Sequence, residues 1–141
     1  MSPLTLKTRS PGMTLHLPHS SEKFSIWFND NPDTDKYAKF ATIRGPTERL
    51  EVVPVEWTPR YQRSCRSTAE EKVLYPLDWT VRIGGVAEFE ITSVAEDQEI
   101  VGSNALETAY EGFVTFKGGF NHHDVTGFGL MEIVYGSWDW L

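Results

Sequence analysis

YPLDWTVRI at residues 75–83, AEFEITSVAEDQEI at 87–100, YEGFVTFKGG at 110–119 and VTGFGLMEIVYG at 125–136 decide the fold. Large apolar residues recur at every second position, the period of a β-strand. Gly84–Gly85 sits between the first two runs, and Gly118–Gly119 closes the third. Paired glycines of this kind suit hairpin turns. The segments therefore read as strands over 79–83, 87–94, 108–117 and 125–135, with the last two joined around Gly118–Gly119 and residues 121–124 (NHHD). Acidic residues stand inside these apolar runs, and each is either turned to water or buried for a purpose.

The rest of the chain follows the same period. MTLHL (13–17) alternates, and KFSIWF (23–28) places Phe24, Ile26 and Phe28 on one face and Ser25 and Trp27 on the other. NDNPDTDK (29–36) is a loop by its Asn, Asp and Pro content, and a strand follows over 37–43. RLEVVPVEW (49–57) alternates, with Pro54 marking a bulge or an edge because it has no N–H for a ladder. Residues 60–72 read as the longest loop, with a weak helical pattern in STAEEK (67–72). No βαβ spacing occurs. The expectation is an all-β chain, one domain over residues 1–141, with about eight to ten antiparallel strands closed into a barrel that encloses one small ligand. Gly127 and Gly129 fit the tight coiling of such a strand.

The chain has 141 residues, a net charge of −7 and five Trp within a 13% aromatic content. An acidic chain has no basic face for nucleic acid. The cluster Arg60, Arg63 and Arg66 lies beside Glu70 and Glu71 and reads as solvated. The single Cys65 forms no intrachain disulfide and reads as a structural thiol in a reducing compartment. The first residues, MSPLTLKTRSPGM, lack the apolar run of a signal peptide, and no membrane span of roughly 20 apolar residues occurs. The expected localisation is cytoplasmic.

Several motifs occur in a telling order: YP-x-x-W at Tyr75, Pro76 and Trp79; DQE at Asp97, Gln98 and Glu99; YEG at Tyr110, Glu111 and Gly112; and G-x-G-x-x-E from Gly127 to Glu132. With FSIWF (24–28) and KFATIRG (39–45), this order resembles the carotenoid 1,2-hydratase family and its relatives, the lipocalin-like fungal Diels–Alderases. The resemblance covers residues 24–136 and implies a lipocalin-like barrel. That family's tail reads YWEG and ELTGY. Here the Trp is missing before Glu111, and EIVYG (132–136) replaces the end motif, so Tyr135 does not inherit the family Tyr's face. Family members carry two lipocalin-like halves, and this chain resembles the C-terminal one. The unmatched half implies self-association into a homodimer.

Glu132 and Glu111 are the candidate catalytic residues. In the last strand Phe128, Leu130, Glu132 and Val134 share one face, and Gly127, Gly129, Met131, Ile133 and Tyr135 share the other. Both are apolar, so Glu132 is a candidate for a hydrophobic lumen, where burial raises a carboxyl pKa and suits a general acid; the alternative is a structural carboxylate. Glu111 is either lumenal or a rim charge. Glu88 and Glu90 read as solvent-facing. Candidate substrate-binding residues are Trp79, Tyr110, Tyr75, Trp27, Trp57, Phe128, Leu130 and His123, the last overhanging the barrel mouth. His16 and His19 have metal-like spacing but lack the further ligands zinc requires, and no metal or cofactor is expected. Trp138 and Trp140 fold over the barrel or dock on a second subunit. The leading expectation is an isomerase or cyclase that shapes an apolar unsaturated polyketide or terpenoid for Diels–Alder-type cyclisation. Alternatives are acid-assisted hydration or dehydration and non-catalytic carriage of a lipophilic molecule.

Overall fold

The computed structural model of the chain describes residues 10–31, 36–45, 50–69, 73–103 and 108–134. Nine strands follow one another: β1 (Ser10–His16), β2 (Lys23–Asn31), β3 (Lys36–Arg44), β4 (Leu50–Arg66), β5 (Leu74–Ile83), β6 (Ala87–Ser93), β7 (Glu99–Ile100), β8 (Ala109–Phe120) and β9 (His123–Val134). Each pairs antiparallel with its neighbour in the order β6-β5-β4-β3-β2-β1-β9-β8-β7. A further β6–β8 pairing, Ala87 opposite Phe120 through Ser93 opposite Val114, closes the sheet into an eight-stranded barrel. β7 extends the wall only beside the start of β8. Closure removes sheet edges, which is how an antiparallel sheet of short strands avoids presenting unpaired main chain. The all-β, lipocalin-like barrel expected from the sequence is present, and the described residues contain no helix.

The alternation read from the sequence becomes an inside and an outside. Met13, Leu15, Phe24, Ile26, Ala41, Val55, Tyr75, Leu77, Trp79, Val81, Ile83, Phe89, Ile91, Val114, Phe116, Met131 and Ile133 are buried in one core. Phe24 of β2 meets Phe89 of β6 edge-on at 5.3 Å and Phe120 of β8 at 5.2 Å, so opposite walls touch across the interior. Each such side chain contributes about 1.5–3 kcal/mol by leaving water.

Several boundaries differ from the expectations. β4 is 17 residues long and runs through 60–66, which the sequence assigns to a loop. Its charged residues point outward, where Arg60 and Arg63 meet Glu90 and Asp78, and the register slips between Arg60 and Ser64. Of the helical reading at 67–72, residues 67–69 are non-helical and 70–72 lie outside the described residues. Pro54 does mark an edge, as the sequence suggests: beyond it β4 has no strand on its β3 side among the described residues. It is the last residue of β4 paired with β3, opposite Phe40, before β5 takes over at Val55. The β8–β9 turn is Asn121–His122, both at positive φ (49° and 68°), the geometry of a two-residue hairpin turn. Gly118 and Gly119 lie within β8, paired with β6 and β9. Gly127 and Gly129 let β9 lie close against β1, since a Cβ at either would strike the carbonyl oxygens of His16 and Thr14.

Candidate functional site

The barrel ends differ. One end carries the short turns after β1, β5 and β8. At the other, residues 94–103 lie alongside the start of β8 and bring the DQE motif to the YP and YEG motifs. Tyr75 and Tyr110 are both fully buried, and their rings lie 4.9 Å apart. The Tyr75 hydroxyl donates to Glu99 Oε2 at 2.6 Å. The Thr68 N–H and hydroxyl both donate to Glu99 Oε1 at 2.8 Å. Burial pushes the Glu99 pKa up, but hydrogen bonds from Ser67, Tyr75 and Thr68 outweigh it and hold the carboxyl below its ordinary value. Donors aimed at a carboxylate stabilise its charged form.

Gln98 locks the same segment. Its Nε2 donates to the Ala95 carbonyl at 3.1 Å and to the Tyr110 hydroxyl at 3.2 Å, and its Oε1 accepts from the Phe113 N–H at 2.8 Å. Gly112 makes room for this arrangement: a Cβ there would lie 2.7 Å from the Tyr110 ring and 2.8 Å from Gln98 Nε2. Cys65, half-buried on β4, donates weakly to the Arg66 carbonyl at 3.7 Å. Burial, then the negative charges of Asp97, Glu99 and Glu96, push its thiol pKa up. A thiol so placed is a poor nucleophile.

Deeper in the barrel, Trp57 stacks on Trp79 at 4.3 Å and 11°. Trp79 is fully buried, yet its indole N–H meets no acceptor among the described residues. Leaving such a donor unpaired costs about 1–3 kcal/mol. The inward residues of β5 are fully buried, whereas Trp57, Pro59 and Tyr61 on β4 are only half-buried. The Trp57–Trp79 pair thus joins the packed interior beside β5 to the partly exposed side chains of β4.

The structure divides the sequence-predicted residues. Tyr75, Trp79, Tyr110 and Trp57 face inward together. Trp27, Phe128 and Leu130 do not join them: all three are exposed on the outer wall. His123 is the exposed first residue of β9, opposite Phe120, at the short-turn end of the barrel and away from the 94–103 segment. The lumenal placement of Glu132 and Glu111 is corrected. Both are exposed and stand directly opposite each other on the outside. The strand parity grouped the residues correctly, but the Met131–Ile133 side is the buried one. Glu88 and Glu90 point outward, held by Arg82 at 3.6 Å and Arg60 at 2.8 Å. Val134's side chain, Tyr135, Trp138 and Trp140 lie outside the described residues. Sequence reasoning assigned no role to Glu99 or Gln98, although the DQE motif was the signal that could have found them.

No protein-family model matches the chain. Over 127 residues, 90% of this chain and 36% of the relative, it is 48% identical to kievitone hydratase of Fusarium solani subsp. phaseoli. Over 128 residues, 86% of this chain and 36% of the relative, it is 38% identical to dehydratase asqC of Emericella nidulans. The crystal structure of kievitone hydratase from Nectria haematococca matches with a TM-score of 0.87 and 45% identity, covering 92% of this chain and 40% of that one. An AttH-type protein of Nitrosomonas europaea matches with a TM-score of 0.70 at 22% identity, covering 95% of this chain and 40% of that one, a likeness of fold alone. The chain spans little more than a third of the curated relatives' length. Along most of its own length it is similar to part of a hydratase and part of a dehydratase, on a lipocalin-like, AttH-type barrel.

Proposed function

We propose that this barrel takes part in cofactor-independent addition of water to, or its removal from, an apolar unsaturated small molecule. The observation that carries this reading is the similarity, over 90% and 86% of the chain, to a hydratase and a dehydratase. It favours hydro-lyase chemistry over the cyclisation expected first.

The geometry supplies matching parts. The Trp57–Trp79 wall offers a flat apolar surface, and the unpaired indole N–H of Trp79 offers a donor to a substrate oxygen. Glu99, kept ionised at the mouth, acts as the proton acceptor, and Tyr75 holds it in place. Trp79 and Tyr75 stand four residues apart on one strand face, about 13 Å, so an elongated substrate reaches from one to the other. In dehydration, Glu99 takes a proton from carbon while hydroxide leaves from the neighbouring carbon and departs as water with a proton from solvent. Hydration runs the same path in reverse.

The test offers wild-type protein the substrates of the two relatives' reactions and follows gain or loss of one water by mass spectrometry, with binding read from Trp fluorescence. Turnover that falls at least tenfold in Trp79→Phe, which keeps the ring and removes the N–H, supports the reading. Turnover unchanged in both Trp79→Phe and Glu99→Gln contradicts it. Binding without any turnover in the wild type assigns the barrel to carriage, and ring closure without exchange of water returns the cyclase reading.

A further inference from the structure

We propose that the outer wall of the β8–β9 ribbon is a self-association surface that pairs two copies of this chain about a two-fold axis. The outward residues of β8 run Glu111, Phe113, Thr115, Lys117, and those of β9 run Thr126, Phe128, Leu130, Glu132. Leu130 is 62% exposed, Phe113 44% and Phe128 41%. Phe113 lies opposite Leu130 and Thr115 opposite Phe128. The Phe113 and Phe128 rings stack at 6.0 Å, and His16 stacks on Phe128 from β1 at 5.5 Å. In this part of β9 the inward positions are Gly127 and Gly129, so the large apolar side chains are outside. A contiguous apolar patch on an outer wall marks an interaction site.

Charge at the two ends of the patch identifies the occupant. At one end Glu111 and Glu132 stand directly opposite each other, a like-charge pair that costs stability. The residue beside Glu132 on β1 is Gly12, and no described base lies within ion-pair reach of either carboxylate. At the other end Lys117 faces Thr126 and Glu90. Glu90 is already held by Arg60 at 2.8 Å, and Lys117 has no ion pair among the described residues. Along β8 the wall therefore runs from an acid, Glu111, through the apolar middle to a base, Lys117.

A two-fold axis lying in the contact plane and crossing the strands at the quartet Phe113, Thr115, Phe128 and Leu130 reverses that order in the second copy. It brings Glu111 against Lys117 of the partner subunit and Leu130 against Phe128 of the partner subunit. Each contact occurs twice, as an isologous interface requires. The ends are six residues apart, about 20 Å. That extent is small beside the roughly 800 Å² per partner of standard interfaces, so the dimer dissociates on dilution.

Sedimentation equilibrium over a micromolar to millimolar concentration series tests this. Wild type is expected to pass from monomer to dimer mass. Glu111→Lys and Lys117→Glu, each alone, are expected to stay monomeric. Mixed one to one they are expected to dimerise, because both contacts of the heterodimer then pair opposite charges. Both positions face solvent in the monomer, and circular dichroism verifies that each variant folds. A wild type monomeric throughout overturns the proposal, as do single variants that dimerise like wild type or a mixture that stays monomeric.

Discussion

Glu99 and Glu132 look alike in sequence, each an acid beside apolar residues in a strand-forming run, yet the barrel treats them oppositely. Glu99 lies at the mouth, where Tyr75, Thr68 and Ser67 supply its donors. Glu132 lies on the outer wall, with another carboxylate opposite it. A carboxylate surrounded by protein donors is held ionised and in place, ready to accept a proton. One facing solvent beside a like charge is given no fixed position by the barrel. Chemical poise here follows from what the fold aims at the group rather than from the apolar residues next to it in sequence.

The contrast between inside and outside can be broken by mutation. The largest effect is expected from Trp79→Ala. It removes a fully buried indole from the core and should cost about 3–5 kcal/mol in chemical denaturation, as large-to-small changes in cores do. A loss below about 1 kcal/mol would mean that the interior around Trp79 is not packed as described. Gly112→Ala comes next. Its methyl must displace the Tyr110 ring or Gln98, and overpacking of this kind costs about 1–3 kcal/mol. Hydrogen exchange should speed up at the Phe113 amide, which Gln98 holds.

Glu99→Gln sharpens the comparison through pH. The folded-state pKa of Glu99 is lowered, so its contribution to stability is present above the ordinary value of 4.5 and is lost as pH falls through the lower folded value. Denaturation curves of wild type should therefore steepen in their pH dependence below 4.5 relative to Glu99→Gln. Identical pH dependence in the two proteins would remove the special status of Glu99. The smallest effect is expected from Leu130→Ala, measured at dilution where the chain is monomeric. An exposed side chain on the outer wall should change stability by no more than about 0.5 kcal/mol.

Much of the fold was legible because period-two alternation survives in nearly every strand. Phe24 and Ile26 against Trp27 is one example, and the run from Tyr75 to Ile83 is another. What the pattern could not settle was which face of β9 is inside. Phe128 and Leu130 are as apolar as Met131 and Ile133, and glycines at the inward positions 127 and 129 make the buried face look the weaker one. The cause is close packing against β1, which lies far away in sequence. Gly118–Gly119 misled for a related reason, since such a pair reads as a turn until β6 is known to lie alongside. Residues 60–66 read as a loop because their charges resemble a solvated segment, yet on a barrel wall alternate residues are solvated and the strand continues. Of the candidate site, the aromatic lining was visible in Tyr75, Trp79 and Tyr110. The role of Glu99 was not, because its donors come from residues 67, 68 and 75, brought to it only by barrel closure.

The most direct test of the central claim compares Glu99→Gln with Glu132→Gln in one turnover assay, with substrate binding measured separately by fluorescence. The account predicts that Glu99→Gln binds substrate but loses water addition or removal, while Glu132→Gln turns over like wild type. Loss of turnover in Glu132→Gln with full activity in Glu99→Gln would contradict it, and would move the chemistry to the outer wall.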